Sequence, residues 1–259
     1  MAQGSAFDVT APTFERHRSL PPGVTVAIRR AVLGAVGGHG PRLLDLGAGT
    51  GRIGGPFVAA GDDYVGVDRS FGMLRGFMQR RRARLVQADG ERLPFRDASF
   101  DAVMLIQAFG GMHGWRRVLA EARRVLRPAG ALVVGRTVAP ADGVDARMRG
   151  RLAEILDAMG VERAQSPRED AMRFLERTAG GQRIEAAAWS AARSPRGFLE
   201  RHPTGARFAA LSAPVKDAAL GKLATWAATT FGSLDAIVPE PYLFELRVFK
   251  FPAEDGPSP

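Results

Sequence analysis

Four polar residues stand at or near the ends of four apolar runs. Asp45 interrupts LLDL (43–46), Asp68 closes YVGVD (64–68), Asp89 closes RLVQAD (84–89), and Gln107 lies late in DAVMLIQAF (101–109). Carboxylates and an amide placed this way can accept hydrogen bonds from ammonium, hydroxyl and amino groups of one polar ligand. Just after the first acid comes LLDLGAGTGRIGG (43–55), with glycine at 47, 49, 51, 54 and 55. Glycines after a strand permit positive φ and let a ligand approach the main chain. Each acid taken singly also suits a turn or a helix cap. Four on one edge are harder to explain by folding alone.

The glycines fit two registers. Gly49-Thr50-Gly51-Arg52-Ile53-Gly54 matches G-x-G-x-x-G, the dinucleotide pattern, which is a weak signal alone. Gly47-Ala48-Gly49-Thr50-Gly51 matches G-x-G-x-G with Asp45 two residues ahead. A dinucleotide loop offers amides to a pyrophosphate, and a carboxylate there opposes that anion. It suits a ligand with positive charge at this end. S-adenosylmethionine, with an ammonium, a sulfonium and no phosphate, has that charge. Asp45 favours the second register, and a nicotinamide-dependent dehydrogenase stays the rival reading through Gly49, Gly51, Gly54 and Asp68.

The elements that must position these residues follow from periodicity. An apolar helix is expected over Val24–Val36, strands at 43–46, 64–68, 84–89, 101–109 and 131–137, and helices at 71–81 and 115–126. Strands alternating with helices imply an α/β fold with a mostly parallel sheet covered on both faces. Such sheets bind ligands at the carboxyl ends of their strands. Later regularity weakens. MRGRLAEILDAMG and 211–231 read as helices, the alanine-rich 184–192 is ambiguous, and YLFELRVFKF (242–251) alternates as a strand. The organisation expected is a single domain over 1–259. Residues 1–40 form an N-terminal helical cap, 41–137 a donor-binding core, 138–251 the remaining sheet with helical lid insertions, and 252–259 a disordered tail.

Composition narrows the classes. The chain has 259 residues, 46% of them hydrophobic and 24% charged, with no cysteine. These are the proportions of an ordinary globular protein. Lack of cysteine removes disulfides, thiolate zinc sites and cysteine nucleophiles. No run reaches membrane-spanning length and the first residues do not read as a signal peptide, so a cytoplasmic protein is expected. The net charge of +9 raises nucleic acid as a partner. Yet only Lys216, Lys222 and Lys250 are lysines among 36 basic residues. The densest run, Arg80, Arg81, Arg82 and Arg84, ends a helix where cations complement the dipole. Nucleic-acid binding is therefore not expected.

The segments LLDLGAGTG (43–51), VGVDRSFGML (65–74), ADGERLPF (88–95), SFDAVMLIQAF (99–109) and EARRVLRPAGALVVG (121–135) together resemble the class I S-adenosylmethionine-dependent methyltransferases, small-molecule type, with a methyltransferase-11-like core. The resemblance implies a Rossmann-like sheet of seven strands, mostly parallel with the last antiparallel, plus helical caps. It implies S-adenosyl-L-methionine as cofactor and methyl transfer to an O-, N- or C-nucleophile of a small molecule. Gly47, Ala48 and Gly49 would line the methionine moiety, Asp68 with Arg69 beside it would serve the ribose, and Met73 would pack on adenine. Asp89 and the Gly90 backbone would read the adenine edge, and Gln107 would face the donor. RNA methylation, or a catalytically silent fold that binds a ligand, are the alternatives. No N-P-P-Y-type signature follows the fourth strand, which argues against the amino-methylating nucleic-acid and glutamine branches.

The acceptor side is less marked. His39 in a glycine loop and His202 near a helix end read as solvent-facing. His17 in FERHRSL, Phe109 and Trp115 are candidates for the substrate pocket. His113, just past the fourth strand, is the candidate base, because histidine titrates in the right range. No metal-ligand cluster is evident.

Overall fold

A computed structural model describes residues 20–109, 112, 114–161, 167–201, 208 and 211–251. Helix α1 (Val24–Val36) precedes β1 (Leu43–Leu46), α2 (Gly54–Ala59), β2 (Tyr64–Asp68), α3 (Phe71–Arg80), β3 (Arg84–Gln87) and β4 (Phe100–Ile106). Then follow α4 (Trp115–Val125), β5 (Leu126–Val138), α5 (Val144–Ala158), α6 (Pro167–Ala179), β6 (Gly181–Arg193), α7 (Pro195–Arg201), α8 (Ala213–Phe231) and β7 (Val238–Lys250). The strands form one seven-stranded sheet in the order β3-β2-β1-β4-β5-β7-β6. β1 pairs in parallel with β2 and β4, β2 with β3, and β4 with β5. The sheet is mixed, with antiparallel last strands. Strand order reverses at β1, between β2 and β4, which is where open α/β sheets bind ligands.

β3 stops at Gln87, two residues before Asp89, and β7 begins at Val238, before the expected Tyr242; for β4 and β5 the backbone gives the reason. β4 ends at Ile106 because Gln107 turns to a φ of 56°. β5 begins at Leu126 rather than after the Pro128–Gly130 break. The break is a bulge inside the strand: register shifts between Phe100 and Ala102, and Ala129 takes a φ of 62°. The ambiguous alanines belong to β6, at the edge of the sheet, where small side chains are half-buried or exposed.

The chain divides into two compact units. The first holds the described residues up to Arg136, residues 167–187, and those from Phe244 onward. Its main core joins one sheet face (Leu44, Leu46, Val65, Val67, Val103, Leu105) to Val118, Leu119 and Ala122 of α4 and Ala171 and Leu175 of α6. Each valine and leucine among them contributes about 1.5–3 kcal/mol by leaving water. The second unit, residues 137–165 and 188–243, has its own core. Met148, Leu152 and Ile155 of α5 are clustered there with Phe198 of α7 and Ala219, Leu223 and Ala227 of α8. Buried Glu240 accepts the backbone N–H of Val144 at 2.5 Å, the first residue of α5.

Candidate donor-binding site

The glycine turn after β1 is anchored by the N–H groups of Gly47 and Ala48, which both donate to the carbonyl of Val67. Gly47, Gly49 and Gly51 all have positive φ, at 82°, 56° and 83°. The space beside each glycine separates their purposes. A Cβ at Gly51 would lie 2.3 Å from the Phe77 ring, one at Gly54 would lie 2.1 Å from the Tyr64 hydroxyl, and one at Gly47 would lie 2.9 Å from Ala108 Cβ. At Gly49 the nearest atom would be 3.9 Å away. Three of these glycines thus make room for the protein itself. At Gly49, and at Gly55 where Arg81 Nε would be 3.6 Å away, an added Cβ would make only ordinary contact.

Asp68 closes β2 and faces the same turn. Its Oδ2 accepts the Gly49 N–H at 2.9 Å and its Oδ1 accepts the Ser70 N–H at 2.9 Å. Each carboxylate oxygen has a second lone pair, so two hydroxyls can still be accepted. Burial raises the Asp68 pKa, while the N–H groups of Ser70, Gly49 and Arg69 pull it down. Ser70 in turn caps α3, its Oγ accepting the Met73 N–H at 3.2 Å. That cap fixes buried Met73 beside the turn, whereas Arg69 is exposed.

Asp45 lies in β1, two residues ahead of the turn, and is only 2% exposed. Tyr64 Oη donates to its Oδ2 at 2.7 Å. Burial pushes the Asp45 pKa up from 3.8 to about 7, against the Tyr64 hydrogen bond and with the charge of Asp68.

Asp89 is exposed, two residues beyond β3, with Oδ1 accepting the Glu91 N–H at 3.0 Å, and Gly90 is half-buried beside it. The segment that follows is pinned from α4. Glu121 Oε2 accepts the Leu93 N–H at 2.7 Å, and Arg124 bridges Glu121, Asp97 and the carbonyls of Leu93 and Phe95. Gln107 Oε1 accepts from Arg52 Nη2, which ties the glycine turn to the end of β4.

Phe109 and Trp115 both lie in the main core, and the Trp115 ring is 5.6 Å from that of Phe174 with the Arg116 guanidinium over it. His17, His113, His202 and the tail 252–259 lie outside the described residues. His39 is exposed. Among the described residues no group of three or more His, Cys, Asp or Glu could hold a metal, and no helix is long and apolar enough to cross a membrane.

Sequence reasoning missed Tyr64 and Arg52. Tyr64 is found only through strand register, since Asp45 pairs with Gly66, two residues along the same strand face. Arg52 sat inside the glycine pattern, where attention falls on the glycines.

A sheet that reverses order at β1, a glycine turn after that strand, and acids late in β1 and β2 define an α/β protein of the Rossmann-like kind. Comparison with known proteins carries this further. A family model described as "Methyltransferase domain" matches residues 44–134. A demethylmenaquinone methyltransferase of Renibacterium salmoninarum is 39% identical over 140 residues, 53% of this chain and 59% of that protein. One of Mycobacterium sp. (strain KMS) is 36% identical over 200 residues, 73% of this chain and 86% of that protein. The structure of the YcgJ protein of Bacillus subtilis shares the fold at a TM-score of 0.55 and 21% identity, covering 88% of this chain and 99% of the other. The chain belongs to the class I S-adenosylmethionine-dependent methyltransferase family. It spans about half the length of the first curated relatives it matches.

Proposed function

We propose that this protein binds S-adenosylmethionine and transfers its methyl group to a small-molecule acceptor, a quinol of the demethylmenaquinone class. The donor assignment rests on one observation: the Asp68 carboxylate bonds to the N–H of Gly49, a glycine with no protein atom crowding its missing side chain, and the Asp45 carboxylate lies buried two residues ahead of the same turn. A pyrophosphate there would meet two negative groups. An ammonium and a ribose would meet acceptors. Support for the acceptor class comes from relatives named demethylmenaquinone methyltransferase, one of them 36% identical with 86% of its length covered.

In this reading Asp68 accepts both ribose hydroxyls, already aimed by the N–H groups of Gly49 and Ser70. Arg69 flanks the ribose. Met73 packs on the adenine, and Asp89 with the Gly90 backbone accepts from and donates to its edge. Gly47, Ala48 and Gly49 admit the methionine portion, with Gln107 facing it from just past the end of β4. The bound donor supplies an activated methyl and its own thioether leaving group. The protein's share is to hold the acceptor carbon in line at roughly 3 Å and exclude water. As the new C–C bond forms and the S–C bond breaks, a ring proton must leave, and His113 is the proposed base, with His17 a further acceptor-side candidate; Phe109 and Trp115 pack in the main core and back the site without lining it.

Incubation with S-adenosylmethionine and a short-chain demethylated naphthoquinol under reducing conditions tests this. The expected result is one added methyl on the quinol ring with an equal amount of S-adenosylhomocysteine. Donor binding without transfer to any quinol would remove the acceptor assignment.

A further inference from the structure

Tyr64 is used by nothing described so far, yet four features converge on it. It is 2% exposed and starts β2, with its ring 6.0 Å from that of Phe57, stacked, and 6.1 Å from that of Phe77, edge-on. Its hydroxyl reaches Asp45 Oδ2 at 2.7 Å. The route passes two residues that lack side chains. A Cβ at Gly54 would lie 2.1 Å from the hydroxyl, whereas one at Gly66 would meet Leu85 Cδ2 at 2.7 Å and Ala48 Cβ at 3.0 Å before the hydroxyl at 3.2 Å. Neither glycine has positive φ, so the turn geometry does not demand them. Gly54 clears a path for the phenol, and Gly66 makes room for Leu85 and Ala48 beside it.

We propose that Tyr64 is a positioning residue for the donor site, its hydroxyl holding the Asp45 carboxylate charged and in place ahead of the glycine turn. This rests on the donor reading given above. A buried carboxylate without a donor takes up a proton, and a neutral Asp45 exerts no field on the donor's ammonium. The Tyr64 hydrogen bond opposes that protonation, whereas burial and the neighbouring charge of Asp68 favour it. On the other side β4 presents Met104 in register with Asp45, which is uncharged. Tyr64 thereby sets the pH below which the donor is released.

Calorimetry with S-adenosylhomocysteine on the whole chain tests this in wild type, Tyr64→Phe and Gly54→Ala, between about pH 6 and pH 9. Tyr64→Phe keeps the ring packing and removes the hydroxyl. Gly54→Ala keeps the hydroxyl and pushes it aside. The ligand's own amine titrates in this range, but equally for all three proteins, so ratios of dissociation constants cancel it. Both variants should bind about tenfold more weakly than wild type at the acid end, the ratio shrinking to about twofold or less at the alkaline end. A ratio that stays constant with pH, or wild-type affinity in both variants, would overturn the positioning role. No binding by the wild-type protein at any pH would instead remove the donor reading itself, and this inference with it.

Discussion

Arg52 donates a hydrogen bond to the side chain of Gln107, which holds its backbone in the left-handed region at a φ of 56°. A non-glycine residue in that region carries about 1 kcal/mol or more of strain. Here it sits at the carboxyl end of β4, beside the proposed donor. Strain kept at such a place is expected where the side chain has a task. Gln107→Gly and Gln107→Ala both lose the bond to Arg52, but only the first relieves the backbone. Gln107→Gly should therefore be more stable than Gln107→Ala by about 1 kcal/mol in denaturant unfolding, with donor affinity reduced in both. Equal stability would mean that the left-handed turn carries no strain.

The glycines of the turn should separate into two kinds on mutation. Gly51→Ala places a methyl 2.3 Å from the Phe77 ring, at a φ of 83°. It should cost at least about 3 kcal/mol of stability. Gly49→Ala meets no protein atom within 3.9 Å and bears only the φ penalty, about 1–2 kcal/mol. Its larger effect should fall on donor affinity. Thermal unfolding beside calorimetry reads both. A well-folded Gly49→Ala protein with unchanged affinity would contradict the assignment of that opening.

Asp45 should set function against stability. Its pKa in the folded protein, about 7, lies above its ordinary 3.8 because of burial. From about pH 4 upward the unfolded chain gives up a proton that the folded protein keeps, so this group's contribution falls as pH rises and levels off above about pH 7. Burial moves Asp68 in the same direction. Asp45→Asn keeps an acceptor for Tyr64 and removes the charge. It should melt higher than wild type at about pH 8, with the gain fading toward about pH 4, while binding the donor more weakly. A lower melting temperature at pH values above about 7 would be evidence that the charge stabilises the fold.

Arg124 should link core stability to the adenine side of the pocket. It bridges Glu121 and Asp97 and caps the carbonyls of Leu93 and Phe95. Its pKa is raised, first by the hydrogen bond to Glu121, and Glu121 is lowered by the same bond. Arg124→Ala leaves half-buried acceptors unmatched, at a cost of about 1–3 kcal/mol. Lysine cannot reproduce the fork, so Arg124→Lys should recover little. Urea unfolding of the two variants measures this, and full recovery by lysine would reduce the network to a simple charge effect.

Periodicity in the sequence was enough for the frame. Helix α1 and strand β2 fall where their apolar spacing puts them, at Val24–Val36 and Tyr64–Asp68. What the sequence leaves hidden is set by backbone turns and by contacts across strands. Gln107 stops β4 three residues before the apolar run ends, and the bulge at Ala129 lets β5 start before the proline–glycine break. The role of each glycine is equally hidden. In the sequence all five could serve a ligand, but Gly51 and Gly54 yield to Phe77 and Tyr64, aromatic rings ten or more residues away. Asp45 and Asp68 were legible as acids at strand ends. The partner that governs Asp45 lies on the neighbouring strand, and only the register of β1 against β2 brings it near.

The donor site is the centre of this account, and a direct titration tests it. Calorimetry of the wild-type chain with S-adenosylhomocysteine and, separately, with NAD compares a ligand without phosphate to one with a pyrophosphate at the same turn. The expected result is saturable binding of the first, weakened by Asp68→Ala by about 1.5–3 kcal/mol through lost hydrogen bonds to a charged group, and no binding of NAD. Saturable binding of NAD, or S-adenosylhomocysteine affinity unchanged in Asp68→Ala, would contradict it.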